Sequence, residues 1–203
     1  MVGILSIDFD YFIATSAAER DRYFPKGGDE ISPDKLNPMW EERYWRYPQL
    51  REIGVIPEYY TLKNFLILLK VKQENVFRSD THKEIKNVID AIPWDTQLRI
   101  VNIDFHHDYY HYFSAGEHCN CGNWLRRVVE ERPGTEVKWI RREDSQIYSL
   151  EGKFPFEHTT DLTSVLDETY EYVFLCRSPE WSPPHLTSRY EALIRAVLRS
   201  EIA

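Results

Sequence analysis

Two short apolar segments of this 203-residue chain carry clusters of carboxylate and imidazole side chains. The side chains are Asp8 and Asp10 in the first segment and Asp104, His106 and Asp108 in the second. Alternate residues of a strand point to the same side, so the spacing predicts that each set shares one face. Unpaired buried carboxylates are costly, so the pattern predicts bound cations. A purely structural cluster of ion pairs and turn caps is the competing interpretation.

Strand patterns alternate with helical patterns along the chain, which predicts an α/β fold with a mostly parallel central sheet. We expect strands at 3–12, 76–79, 98–105, 136–141 and 172–177, and helices at 61–72, 81–92, 123–131 and 186–200. Sites in such sheets form beyond the carboxyl ends of the strands, where both acidic clusters fall. The simplest organisation is a single domain over residues 1–203.

Residues 13–58 form a polar, proline-bearing and aromatic segment, which we expect to be an irregular insertion with short helices near 38–45. A long loop beside a strand end is often a lid or a substrate wall. A surface excursion packed by its own aromatic side chains is the alternative.

Composition narrows the class of protein. The net charge of −8 disfavours general nucleic-acid binding. No apolar stretch is long enough for a membrane span, and the start of the chain does not resemble a signal peptide. Three cysteines provide no disulfide framework, which favours a reduced, cytoplasmic setting. Cys119 and Cys121 beside His118 are unlike a structural zinc site, because no second cysteine pair exists.

His82 follows a short predicted strand near a helix start, so we expect it at the same sheet edge, where it is the best candidate to complete the ligand set. A helix-start histidine without a ligand role is the alternative. Carboxylate and imidazole ligands are typical of a Mn²⁺ site and less typical of a zinc site built from thiolates. Carboxylates can bridge two cations about 3.5–4 Å apart, as in two-metal hydrolases. His107 and His111 have the opposite strand parity from His106, and we exclude them as ligands.

These motifs resemble those of the arginase and ureohydrolase superfamily. Asp104-Phe105-His106-His107-Asp108 is similar to its Asp-x-His-x-Asp motif, and Ser6-Ile7-Asp8-Phe9-Asp10 to its Ser-x-Asp-x-Asp motif. His82 precedes Asp104 by about the family's spacing for its first histidine ligand. The resemblance implies a three-layer fold and a site for two manganese ions that uses all six residues.

The order of the motifs differs from that of ordinary arginases, because the Ser-x-Asp-x-Asp segment comes first. That order, the chain length and the sequences at 80–84, 121–124 and 178–185 resemble the peptide arginases. The resemblance implies hydrolysis of arginine side chains in a ribosomally made precursor peptide, giving ornithine and urea through metal-activated water. The partner would be an arginine-containing peptide.

Three further residues have candidate roles. The sequence at 114–118 resembles the ureohydrolase loop with a histidine proton shuttle, which implies that role for His118; a loop histidine without a catalytic part is the alternative. Glu180 follows a predicted strand and could hold a guanidinium by paired hydrogen bonds. A structural turn in which Glu180 caps backbone amides is equally consistent with the sequence. Asn123 is a candidate helix cap.

Three other functions stay open at this stage. A ureohydrolase of free arginine or agmatine would use the same cations in a smaller pocket. A deacetylase-like amidohydrolase with one cation would need only Asp104, His106 and one more carboxylate. A non-catalytic peptide-binding module would use a structural cation alone. The oligomeric state is not specified by the sequence.

Overall fold

A computed structural model describes residues 1–26, 31–110, 118–147 and 154–199. The strands of this part are β1 Val2–Asp8, β2 Val76–Ser79, β3 Leu98–Ile103, β4 Glu136–Ile140, β5 Glu157–Thr159 and β6 Tyr172–Cys176. They form one six-stranded sheet in the order β2-β6-β1-β3-β4-β5. Every neighbouring pair is parallel, so the carboxyl ends of all strands lie at one edge.

Helices connect the strands on both faces of the sheet. They are α1 Ala17–Tyr23, α2 Pro33–Arg46, α3 Glu58–Leu68, α4 Ile85–Asp90, α5 Trp124–Glu131 and α6 Thr187–Leu198. None of the helices in these described segments is long and apolar enough to cross a bilayer.

Two hydrophobic cores lie on opposite faces of the sheet, because successive strand residues point in opposite directions. Leu5 packs into the larger core with side chains from α2, α3 and α6, including Leu62 and Leu193. Ile4 packs into the smaller core with residues of α4 and α5, including Ile89 and Leu125. Helices, sheet and helices therefore form three layers, and the expected α/β class is confirmed.

The strand at the start of the chain ends earlier than the sequence pattern predicts. β1 stops at Asp8, and residues Phe9–Phe12 form a 3₁₀ turn instead of continuing the strand. The Asp8 carboxylate accepts a hydrogen bond from the Asp10 backbone N–H at 3.1 Å, which caps this turn. A side-chain acceptor offers the backbone an alternative to the sheet ladder.

The second acidic segment shows the same departure. β3 ends at Ile103, and the Asp104 carboxylate accepts a hydrogen bond from the His106 backbone N–H at 2.8 Å. The structure brings the candidate ligand residues together, but strand alternation was the wrong reason for grouping them. Hydrogen bonds from backbone N–H groups to the Asp8 and Asp104 carboxylates, just beyond the strand ends, position these residues.

The expectation that residues 13–58 are irregular was wrong for most of the described part. This segment contains α1, α2 and a 3₁₀ turn at Pro48–Glu52. In α2 the buried residues Leu36, Trp40 and Tyr44 recur every four positions, which is a helical spacing. Pro33 lies in the first turn, where no backbone donor is required. The prolines suggested irregular structure, although the spacing of the large apolar side chains is helical.

Gly3 provides a test of how tightly the middle of the sheet is packed. A Cβ atom at this position would lie 2.0 Å from the backbone oxygen of Thr169, whereas one at Gly54 would meet nothing within 4 Å. We expect Gly3→Ala to destabilise the protein by roughly 2 kcal/mol or more, because neither backbone can move away easily. We expect Gly54→Ala to change the free energy of unfolding by less than about 1 kcal/mol. Urea unfolding of both variants measures the difference, and equal midpoints would contradict this packing.

Candidate metal centre

The candidate site lies at the carboxyl ends of four adjacent strands, β2, β6, β1 and β3. Asp8 is the last residue of β1, and Asp104 directly follows β3. His82 begins a 3₁₀ turn shortly after β2. Pairing of β1 with β3 sets Ile7 beside Ile103, so Asp8 and Asp104 leave the sheet side by side.

One group of ligands surrounds the Nδ1 atom of His82, and we name it the His82 subsite. Carboxylate oxygens of Asp8, Asp104 and Asp108 lie 3.4, 3.2 and 2.9 Å from Nδ1. This buried Nδ1 has no hydrogen-bond partner among the described residues. Ligand atoms about 2.1 Å from a shared cation lie about 3 Å from one another, so these separations suit a coordination shell. The His82 subsite could hold a metal ion.

A second group lies next to it, and we name it the His106 subsite. It consists of Asp10, Asp104 and His106, whose ligand atoms also come close enough to hold a cation. His106 Nδ1 lies 3.1 Å from Asp10 Oδ2 and 4.0 Å from Asp104 Oδ1. Asp10 Oδ1 is buried, and no described residue donates a hydrogen bond to it. Asp104 directs one oxygen to each subsite, as a bridging carboxylate would.

His82 is oriented by its buried neighbours. Ser6 Oγ lies 2.7 Å from His82 Nε2. When Nε2 carries the proton and donates to Ser6, Nδ1 presents its lone pair to the carboxylate cluster. The imidazole also stacks on the Phe174 ring, with centroids 5.9 Å apart and planes 5° apart. The ring is therefore fixed in the orientation that a ligand requires.

Two residues beside the cluster have left-handed backbone conformations. Asp108 has φ 51° and Ser178 has φ 46°, values that are uncommon for residues other than glycine. Asp108 Oδ2 accepts a hydrogen bond from Trp124 Nε1 at 2.5 Å. Ser178 Oγ donates to Asp8 Oδ2 at 2.5 Å. Backbone strain here is offset by contacts that hold the carboxylates, as is common at functional sites.

Burial and mutual repulsion of the carboxylates perturb their proton affinities. Burial, followed by the charges of Asp10 and Asp104, raises the pKa of Asp8 to about 6. Burial, followed by the charge of Asp108, raises the pKa of Asp104 to about 8. Bound cations would supply the positive charge that otherwise comes from protons.

His106 and Asp10 stabilise each other's charged forms. Burial opposes the charged imidazole, but attraction to Asp10 outweighs it and raises the pKa of His106 to about 9. Burial likewise favours neutral Asp10, but attraction to His106 and then to Arg20 lowers the pKa of Asp10. Asp10 is therefore a carboxylate in the folded protein.

A cavity of about 330 Å³ opens above both subsites. Ligand residues of the two subsites form its floor, and Glu180, Trp181, Tyr110 and Gln146 line its sides. The Trp181 ring packs against the His106 ring, with centroids 5.1 Å apart. Among the described residues, no lysine or arginine lines the cavity, whereas several carboxylates do. The cavity therefore favours a cationic or neutral ligand over an anion.

Glu180 lies in this wall, as the sequence predicted for a residue after β6. It is 8% exposed, and its Oε1 accepts a hydrogen bond from the Ile31 backbone N–H at 3.1 Å. Trp40 Nε1 donates to the Pro179 carbonyl at 2.9 Å. The 13–58 segment therefore contacts the loop that carries Glu180.

His118 is not brought to the cavity. Its side chain is exposed and is absent from the described lining residues, and Asn123 Nδ2 donates to its backbone carbonyl at 3.0 Å. Residues 114–117 of the resembling loop lie outside the described residues, so the shuttle role remains a prediction. Asn123 occupies the cap position of α5, but its side chain binds this loop instead of the helix.

The remaining predictions for histidine and cysteine side chains concern His107, His111 and the cysteines. His107 is directed into an aromatic cluster, where its Nδ1 accepts from the Tyr109 backbone N–H at 3.0 Å. His111 lies outside the described residues. No cysteine belongs to a possible metal group in the described ranges, and Cys121 Sγ instead lies 2.8 Å from Thr81 Oγ1.

Arg20 at this centre was missed by the sequence analysis. Its side chain is 2% exposed, and Nη1 lies 3.3 Å from Asp10 Oδ2. It lies in a short helix of charged residues, which is the ordinary pattern of a solvated surface. No local signal distinguishes it, because its burial depends on packing against Phe105, which lies 85 positions later in the chain.

Comparison of the chain with protein-family models and with curated proteins finds no match.

The ligand geometry predicts stabilisation by metal. Saturating Mn²⁺ should raise the midpoint of thermal unfolding by roughly 10 °C, because cation at about a thousand times its dissociation constant contributes about 4 kcal/mol. Asp104→Asn should lose this increase, since both subsites share Asp104. Without metal, that variant should be at least as stable as the natural protein, because it lacks a buried carboxyl group that must take up a proton on folding, as its raised pKa of about 8 indicates. Calorimetry with the exposed Asp167→Asn as control measures both effects.

Metal affinity should depend on pH in one direction. The raised pKa values of Asp8, about 6, and Asp104, about 8, mean that protons occupy the carboxylates as pH falls. Protonation of His106, with a pKa of about 9, also opposes a cation. Binding must displace these protons, so affinity should rise from about pH 6 to about pH 8. Calorimetric titration in buffers of different ionisation enthalpy measures proton release, and its absence would contradict this electrostatic account.

Proposed function

We propose that this protein is a hydrolase that uses two divalent cations, with Mn²⁺ as the suited metal, to cleave the guanidinium group of arginine side chains in a peptide. The products are ornithine and urea. The observation that carries the proposal is the Asp104 carboxylate, which is shared between two adjacent subsites on the floor of a cavity with an acidic wall.

The distances between the six candidate ligand residues suggest which cation each would bind. Asp8, His82, Asp104 and Asp108 would hold one cation, and Asp10, Asp104 and His106 the other. Oxygen and imidazole donors of this kind suit Mn²⁺. Two such cations lower the pKa of a water and stabilise the negative charge that develops during its attack.

The cavity wall suits a guanidinium group. Glu180 provides a carboxylate that can accept two parallel hydrogen bonds from a planar guanidinium. Trp181 provides an aromatic face beside it, on which such a cation can stack. Together they would orient the guanidinium carbon over the two subsites, where the cleaved bond must lie.

The cavity of about 330 Å³ is large enough for an arginine side chain, and in the proposed complex the peptide backbone lies at its mouth. The 13–58 segment would provide part of that mouth, since Ile31 and Trp40 contact the Glu180 loop. The motif resemblance to the peptide arginases, with a permuted arginase-like three-layer fold, supports the same substrate class.

Mass spectrometry of arginine-containing peptides incubated with Mn²⁺-loaded protein tests the proposal. Each converted arginine loses about 42 Da, because water adds to the guanidinium carbon and urea leaves. Free arginine run alongside distinguishes an ordinary ureohydrolase, which would convert it instead. Bound metal with both substrates unchanged would contradict guanidinium hydrolysis and favour another amide substrate or the non-catalytic module.

Glu180→Gln tests the recognition of the guanidinium. We expect kcat/KM to fall roughly 10- to 100-fold, because a charge-assisted pair of hydrogen bonds is lost. Metal stoichiometry should not change. Asp80→Asn is the matched control, since Asp80 also lines the cavity but is paired with Arg177 at 2.8 Å. Equal effects of the two substitutions would show that general negative charge, not Glu180, selects the substrate.

A further inference from the structure

Arg20 is a buried cation at one side of the metal centre. It projects from α1, and its Nη2 donates to the Asp10 backbone carbonyl at 2.6 Å. Its Nη1 lies 3.3 Å from Asp10 Oδ2, and its guanidinium lies 3.9 Å from the centroid of the Phe105 ring. These contacts fix a positive charge against a ligand of the His106 subsite.

The His82 subsite has no equivalent charge. Its carboxylates, on Asp8, Asp104 and Asp108, form no ion pair with a lysine or arginine in the described part of the chain. Their hydrogen bonds come from neutral donors such as Ser178 and Trp124. The two subsites therefore differ by one permanent positive charge and by the number of carboxylates.

We propose that Arg20 makes the two subsites unequal, so that a first cation occupies the His82 subsite and a second binds the His106 subsite more weakly. The guanidinium already neutralises part of the Asp10 charge and repels an incoming cation. Asp10 keeps one ligand atom for metal, since Oδ1 is buried and has no hydrogen-bond partner in the described part of the chain, while Oδ2 faces Arg20 and His106.

The size of this effect follows from Coulomb's law. A unit charge about 5 Å from a divalent cation, at an effective dielectric constant of about 20, changes affinity by well over tenfold. Part of this repulsion is offset because Arg20 also holds Asp10 in place for binding. We therefore expect a net weakening of roughly tenfold or more at the His106 subsite.

As a consequence, the cation in the His106 subsite would bind and dissociate as the concentration of free metal changes, while the cation in the His82 subsite stays bound. Arg20 would keep Asp10 compensated when the second cation is absent, because an unpaired buried carboxylate is costly. This inference concerns metal binding alone and does not depend on the substrate proposed above.

Titration of the metal-free protein with Mn²⁺ tests the order of binding. Free Mn²⁺ can be followed by its electron paramagnetic resonance signal, and the bound metal by elemental analysis after dialysis. We expect two dissociation constants that differ by roughly tenfold or more. His106→Ala should remove the weak phase and His82→Ala the tight phase. Equal affinities in the natural protein, or removal of the tight phase by His106→Ala, would overturn the proposal.

Substitution of Arg20 tests the cause. Arg20→Met should tighten the weak phase by roughly tenfold or more and the tight phase by a smaller factor, because the repulsion weakens with distance but reaches both subsites. Arg20→Lys keeps the charge without the planar fork, so it should titrate like the natural protein. A weak phase that is unchanged or weaker in Arg20→Met would overturn the role of the charge. Arg20→Gln, which retains donors for the backbone carbonyls, replaces the methionine variant if that variant does not fold.

Arg142 provides the matched control. Its guanidinium also lies over the Phe105 ring, at 5.4 Å, and its Nη1 donates to the Ile13 carbonyl at 2.6 Å. It pairs with Asp144 instead of a ligand carboxylate. Arg142→Met should leave both dissociation constants within about twofold of the natural values. A change as large as that of Arg20→Met would show that packing around Phe105, not charge at Asp10, determines the affinity.

Discussion

Electrostatic repulsion among buried carboxylates is the constraint on which the rest of this structure depends. Asp8, Asp10, Asp104 and Asp108 lie together where little water reaches them. Like charges in such a place are costly unless protons, cations or hydrogen-bond donors compensate them. The imidazoles, the neutral donors and the Arg20 guanidinium around the cluster all supply this compensation. Bound metal would supply the remainder, and stability, metal affinity and pH are therefore linked at this centre.

The parallel sheet makes this concentration of charge possible. Its strands end at one edge, so residues distant in sequence arrive together without any one segment carrying the whole ligand set. The backbone then departs from regular geometry beyond the strand ends, most clearly at Asp108 and Ser178. Two packed cores below the edge provide the rigidity that holds these strained residues in position.

The 13–58 segment serves both halves of the site. Its first helix, α1, places Arg20 beside Asp10 of the candidate metal centre. Its later part contacts the loop that bears Glu180. A single added segment would thus influence metal affinity and substrate recognition together. Buried aromatic side chains such as Trp40 stabilise its helices. In α2 this packing maintains the helix despite Pro38 in its interior.

The sequence by itself determined the class of fold and supplied the candidate ligand residues, because apolar strand patterns and donor chemistry are local properties. Most strands could be predicted in this way, as could the proximity of the six candidate ligand residues. The departures at Asp10 and His106 depend on side-chain caps that no strand pattern encodes. Only the tertiary structure decided that Asp104 is shared between two subsites, that His118 is exposed, and that Arg20 is buried at Asp10. These features arise from contacts between segments far apart in the chain, and local periodicity carries no information about such contacts.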